Sequence, residues 1–289
     1  MKNYKIISDC TCDLSDDIVK DLDVEIIPME VLLDDKSFDH YLDYRNCAFK
    51  DFYRLLDAGS MASTTQINPA KYLDVFESYL KQGLDVLYVC FSSGLSSTYA
   101  SSLLAANELN EKYDKQVYVV DSKCASGGEG LLLVAACKNQ KDGMEIGANV
   151  EWLQANILKV AHWFTVNDLM FLKRGGRISS TAAIVGSALK IKPVLHVDDE
   201  GHLINVTKAH GRKASINALF AKMQQSFDDS YDLPIVITHG DCLEEAEYLK
   251  NKIQEAYPSQ QVLISGIGPV IGAHSGPKTL ALFFMAAKR

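Results

Sequence analysis

The chain has 289 residues, 47% of them hydrophobic, and a formal net charge of −8 from 29 Lys plus Arg against 37 Asp plus Glu. That much apolar content supplies a full core and excludes an intrinsically disordered chain. The acidic balance disfavours a nucleic-acid partner, because neutralising phosphates needs a basic face. The cysteines number seven, an odd count with no Cys-x-x-Cys pair, and read as reduced cytosolic thiols. Cys10-Thr11-Cys12 lacks the second ligand pair of a closed metal site, so no metal is expected.

In chain order, the N-terminus runs straight into a short strand, Lys5 to Ser8, with no signal-peptide apolar region. A polar turn, Asp9 to Asp13, leads to a helix over 15–22 with Ser15 as its N-cap. Residues 24–33 read as a strand or hairpin, and 45–56 carry apolar residues at helical spacing. Gly59 to Pro69 reads as a long polar loop, followed by a helix over 70–82. Val86 to Phe91 is a buried strand, Ser92 to Thr98 a hydroxyl-rich turn, and 99–109 a helix. A strand ending in such a turn before a helix aims backbone N–H groups and hydroxyls at one spot, an arrangement suited to a phosphate or a carboxylate. A second buried strand, 116–121, precedes a glycine-rich entry into a helix ending at Cys137. This alternation predicts a parallel α/β sheet.

The second half is different. Helix is expected over 150–158 and strand over 163–166; 169–174 ends at Gly175-Gly176, and a small-residue helix is expected over 178–189. Residues 192–197 and 203–207 flank Asp198-Asp199-Glu200-Gly201, a hairpin pattern. Helices over 213–227 and 244–257 alternate with strands at 234–238 and 261–265. The apolar run Leu280 to Ala287 is far too short to span a bilayer, so a soluble, cytoplasmic protein is expected. The fold class is α/β in two parts: an N-terminal parallel-sheet α/β domain, 1–150, and a C-terminal α+β domain, 151–289.

Three polar clusters fall at the ends of apolar segments: Ser63-Thr64-Thr65-Gln66, the turn Ser92 to Thr98, and Gly268 to Pro277 with His274 bracketed by glycines. Each alone reads equally well as capping hydroxyls or as a loop histidine bonded to backbone. Together they form a candidate anion site. Arg174-Gly175-Gly176-Arg177 reads either as a plain turn or as a surface for a phosphorylated ligand or partner. No Gly-x-Ser-x-Gly elbow, Walker A sequence or dinucleotide-spaced glycine motif is present, so no catalytic residues are assigned and no cofactor beyond a bound ligand is implied.

Taken in order, Ile7 to Leu14, Ser63 to Pro69, Ser92 to Tyr99, Asp121 to Ser126, Leu172 to Ser179, Ile191-Lys192-Pro193, Thr238 to Asp241 and Ile271 to Pro277 resemble the DegV family of fatty-acid-binding proteins, as one unit over 3–287. The resemblance implies two α/β domains with a long-chain, palmitate-like fatty acid between them. It places the carboxylate on Thr64, Thr65, Ser96 and His274, with Ser93 and Ser97 close by. It also implies a non-catalytic subunit presenting its ligand to a separate fatty acid kinase, and transient contact with a membrane surface. Arg174, Arg177, His210 and Arg212 are the positions for such a partner or for a phosphate. This chain has Cys10, His210 and Lys278 where the family pattern usually has Ser, Arg and Gly. The alternative is a free-standing enzyme acting on an acyl or phosphoryl group through a serine and His274.

Overall fold

The computed structural model describes residues 4–179 and 191–289. Most of the helix expected over 178–189 therefore lies outside the described residues. The chain opens with β1 (Tyr4–Asp9), α1 (Asp16–Leu22) and β2 (Glu25–Ile27). Ser15 caps α1 by accepting the N–H of Ile18 on its side-chain oxygen. Pro28 then separates β2 from β3 (Met29–Leu33), which turns into β4 (Lys36–His40). The segment expected as one strand or hairpin thus supplies two strands to two different sheets. Next come α2 (Phe49–Asp57), β5 (Ala62–Thr64) and α3 (Pro69–Leu80). α3 starts where Asn68 accepts the N–H of Lys71 and Pro69 fills the first helical position. The loop expected over 59–69 therefore contains a strand, because β3 supplies backbone partners to a stretch whose own β-propensity is weak.

β6 (Asp85–Cys90), α4 (Thr98–Lys112), β7 (Val117–Asp121), α5 (Gly127–Lys141) and α6 (Ile146–Asn156) complete the first half. The second half runs β8 (Val160–Thr165), α7 (Met170–Arg174), β9 (Ile191–Val197), β10 (Leu203–His210) and α8 (Arg212–Ser226). It ends with β11 (Ile235–His239), α9 (Leu243–Ala256), β12 (Val262–Gly266), α10 (Pro269–Ser275) and β13 (Leu280–Met285).

The first sheet is parallel, in the order β2-β1-β6-β7, so the strand order reverses between β1 and β6. Its crevice lies beyond Asp9 and Cys90, where open α/β sheets bind ligands. A small antiparallel sheet has the order β4-β3-β5. The third is mixed, β10-β9-β8-β13-β11-β12, with only β11 and β12 parallel. Its hairpin of β9 and β10 turns at 198–201 as expected. β13 is central in this sheet and buried along its whole length, so the apolar run read only as too short for a membrane is a core strand.

α3 and α4 pack on β6 and β7, while α8 and α9 cover the mixed sheet above a core that includes Leu219, Met223, Leu249 and Phe284. α5 contacts β1 and β6 of one sheet and β8, β11 and β13 of the other. A Cβ on Gly127 would meet the Phe283 and Val236 side chains at 2.7 Å, so this helix enters between the sheets only as glycine. One continuous core consequently joins Ile6, Leu87 and Leu132 to Leu195 and Phe283. The division expected at residue 150 falls inside α6, and the change from parallel to mixed sheet comes after that helix.

Candidate functional site

α10 is the short element on which the site is assembled. It contacts β3 and β5 and also α7. Pro269 starts it, and Gly276, in a left-handed conformation at φ 77°, ends it. His274 therefore sits in the last turn of a helix rather than in the loop expected from its glycines. Its Nε2 lies 2.8 Å from Thr64 Oγ1 on β5. Gly175 at the end of α7 lies beneath the ring: a Cβ there would come within 2.3 Å of His274 Nδ1. Nδ1 itself is buried without a hydrogen-bond partner. Burial, followed by the positive charge of Arg177, lowers the His274 pKa to about 4, so the ring is neutral at pH 7.

The Thr64–His274 pair faces a cavity enclosing about 670 Å³ including its mouth, of which about 70 Å³ is wide enough for the centre of a water molecule. The walls are thus nearly closed on each other. They are mostly apolar, with Phe91 and Leu95 after β6, Phe164 on β8, Leu172 on α7, and Val270 and Ile271 on α10. Ser96 and Arg177 are also in the lining. Arg177 is half-buried; its Nε donates to Leu95 O at 3.1 Å and its Nη1 to Gly175 O at 2.5 Å. A second depression, about 680 Å³ including its mouth, shares Thr64, Arg177 and His274 and adds Ser60, Ser63 and Arg174. The pair and the guanidinium of Arg177 therefore stand where an apolar cavity meets a polar, cationic vestibule.

The turn after β6 is not the backbone anion cradle that its sequence suggests. The N–H of Ser93 donates to Asp121 Oδ1, that of Gly94 to Ser92 Oγ, and those of Leu95 and Ser96 to Ser92 O. Thr98 N–H donates to Ser96 Oγ at 3.2 Å, so Ser96 closes the turn into α4 as well as lining the cavity. Thr98 shares a hydrogen bond with Ser96 and supplies no cap oxygen of its own. What the turn offers the cavity is side chain, not backbone.

The remaining expected residues lie outside the apolar cavity, Arg174 alone of them reaching the second depression. Thr65 is exposed and donates to Glu30 Oε2 at 3.2 Å. Ser93 Oγ accepts from Lys123 Nζ at 2.9 Å, outside the cavity lining. Ser97 is exposed. Arg174 is exposed above the Phe171 ring, with Nη1 on Met61 Sδ. His210 is exposed at the end of β10. Arg212 is engaged by Glu245 Oε2 at 2.9 Å and by Lys278 O at 2.6 Å, away from both depressions.

Sequence reading passed over the support of α10. Asp13 Oδ1 accepts the N–H of Gly268, the residue before α10, at 2.8 Å, and Oδ2 accepts from Ser126 Oγ at 2.6 Å. Ser126 is in the cavity wall, so one carboxyl group ties the head of α10 to the entry of α5. Burial pushes the Asp13 pKa up to about 8 despite these bonds. Asp9 and Glu129 are buried beside it, bridged by the Thr11 hydroxyl, and burial raises both. The sequence signal for this network is two acids at the ends of the polar turn 9–13 and a third in the glycine-rich entry to α5. Among the described residues no group of His, Cys, Asp and Glu forms a metal site, and no helix is long and apolar enough to cross a membrane.

This geometry can be set beside known proteins. The model of the DegV family, a family of uncharacterised proteins, matches residues 3–287. A DegV domain-containing protein of Clostridium perfringens is 44% identical over 286 residues, covering 99% of this chain and 98% of its own. The chain belongs to the DegV family. Among solved DegV structures, a lipid-binding protein of Thermotoga maritima is 30% identical with a TM-score of 0.87, each chain covered in full. DegV of Bacillus subtilis, described as a fatty acid binding protein, is 26% identical with a TM-score of 0.85, covering 99% of this chain and 100% of its own. The DegV architecture of parallel sheet, mixed sheet and intervening helix therefore extends over the whole chain.

Proposed function

We propose that this chain binds a long-chain fatty acid, palmitate-like in length, with its tail in the apolar cavity and its carboxylate beside Thr64 and His274. The observation that carries this reading is a largely apolar cavity whose boundary with a cationic vestibule holds a hydroxyl–imidazole pair, Ser96 and Arg177. The lipid and fatty acid binding of the Thermotoga maritima and Bacillus subtilis relatives supports it. In the tautomer with the proton on Nε2, neutral His274 donates to Thr64 Oγ1, and that tautomer leaves the Thr64 hydroxyl proton for a carboxylate oxygen. Arg177 supplies the positive charge that a partly buried carboxylate requires. A C16 tail buries about fifteen methylene-sized groups, roughly 12 kcal/mol before ordering costs. A hydrogen bond to the charged head adds only about 1.5–3 kcal/mol. The tail thus sets affinity, and the polar end sets register and direction.

The vestibule with Arg174 and Arg177 suits a phosphoryl group added to the ligand by a separate fatty acid kinase, this chain presenting the acid rather than transferring phosphate. Such a protein would work in the cytoplasm and load its ligand in transient contact with a membrane surface. A free-standing enzyme using a serine and His274 has less support: Ser96 Oγ bonds Thr98, not His274, and Nδ1 has no carboxylate to orient it. Mass spectrometry of lipid extracted from the purified protein tests the choice. A co-purified long-chain fatty acid without turnover of acyl esters is expected; ester hydrolysis by a protein that carries no fatty acid would replace this reading with the enzymatic one.

A further inference from the structure

The cavity wall contains a polar group that fatty acid binding at Thr64 and His274 leaves unexplained. His162, on β8, is 4% exposed and lines the cavity. Its ring lies 4.5 Å from the Phe283 ring and 5.6 Å from that of Phe164, centre to centre. Its Nδ1 is buried without a hydrogen-bond partner. The other wall hydroxyls away from α10 are satisfied: Ser126 donates to Asp13, and Thr279 to the carbonyls of Ser275 and Gly276. The remaining unpartnered wall atoms, His274 Nδ1 and Ser275 Oγ, both belong to α10, where the carboxylate is placed. Among the described residues of the cavity wall, His162 is therefore the unsatisfied group set apart from the head-group helix. An orphaned nitrogen among aromatic rings is costly, and native proteins keep one where a ligand or an ordered water completes it.

We infer that His162 recognises a hydroxyl group on the acyl chain, so that the preferred ligand is a hydroxylated long-chain acid rather than a plain one. The inference rests on the fatty acid reading above and narrows it. A hydroxyl both donates and accepts, so it pairs with either tautomer of a neutral imidazole. A second carboxylate fits less well, because it would need a free cation. Arg289, whose charge reaches the His162 ring, already donates to carbonyls from all three of its nitrogens: Nε to Val160, Nη1 to Lys123 and Asp198, and Nη2 to Ile157. Methylene or alkene carbons at that point would leave Nδ1 as it is.

The test is a binding panel on the full chain, using stearate and a series of monohydroxystearates with the hydroxyl at successive positions. One positional isomer is expected to bind about tenfold more tightly than stearate, as one hydrogen bond to an otherwise orphaned group provides. In His162→Phe the ratio of hydroxystearate to stearate affinity is expected to fall to about one, whatever the substitution does to stearate itself; a ratio still near tenfold overturns the inference. If stearate binds and no hydroxylated isomer improves on it, the inference is overturned and the fatty acid reading stands. If no acid binds, both fall. The ¹⁵N resonance of His162 Nδ1 in the wild-type protein gives a readout that does not depend on the variant folding. It is expected to move with the favoured hydroxystearate and not with stearate; equal shifts with both overturn the inference.

Discussion

Gly175→Ala perturbs the head-group pair without touching either member. Gly175 ends α7 at φ −70°, ψ −9°, a conformation open to any residue, so alanine brings no backbone strain. On backbone grounds alone the change stabilises by about 0.4–1 kcal/mol, through the unfolded chain. The added Cβ, however, would fall 2.3 Å from His274 Nδ1, and 3.2 and 3.3 Å from Cγ and Cε1 of the same ring. No pair of atoms tolerates the first distance. The ring has to turn, and turning it breaks the 2.8 Å contact with Thr64. The carboxylate then loses a held hydroxyl, which costs about 1.5–3 kcal/mol, or roughly tenfold to a hundredfold in affinity. Titration of the lipid-stripped variant with palmitate, paired with its melting temperature, reads both effects. Weaker binding with an unchanged or raised Tm is expected. Wild-type affinity would refute the reasoning. So would a Tm lowered by more than about 5 °C, since it would mean that α7 yields instead of the ring.

Two other variants probe the same site and its support. Thr64→Val combined with Ser96→Ala should weaken palmitate by about tenfold or more without abolishing binding, because the tail supplies most of the affinity; calorimetry giving wild-type affinity would count against the assigned head-group position. Asp13 is held near pKa 8 when folded, against an ordinary carboxylate value of about 4, so the folded state retains a proton that the unfolded state loses. Its contribution to stability is present below about pH 4 and is lost as pH rises through 8. Thermal melts should therefore fall more between pH 5 and 8 for the wild type than for Asp13→Asn, and equal slopes would contradict the buried, protonated carboxyl.

The sequence made the site's residue types legible and misread how the backbone delivers them. Thr64, Ser96 and His274 stand out as hydroxyls and an imidazole beside glycines, and they do line one cavity. The glycines around His274 suggested a loop, but Pro269 and Gly276 are the start and stop of a two-turn helix. β5 escaped notice because three residues of Ala-Ser-Thr carry no alternation, and their pairing is owed to β3. β13 is buried on both faces, so it lacks the period of two that marks a half-exposed strand. The turn after β6 looked like a backbone anion site because sequence does not reveal that Asp121, Ser92 and Ser96 consume its N–H groups. Arg177 was visible as one arm of an Arg-Gly-Gly-Arg turn and as a position for a partner or a phosphate, not as a wall of the cavity. Its place in the cavity depends on carbonyls of Leu95 and Gly175, the first far away in the chain.

Everything proposed for this chain turns on a fatty acid carboxylate lying at the junction of the cavity and the vestibule. A crystal structure of the protein with palmitate tests it most directly. One carboxylate oxygen is expected within hydrogen-bond distance of Thr64 Oγ1, with the head facing Arg177 and the tail running between Phe91, Phe164 and Val270. A tail pointing into the vestibule, or a ligand bound elsewhere on the chain, would contradict it.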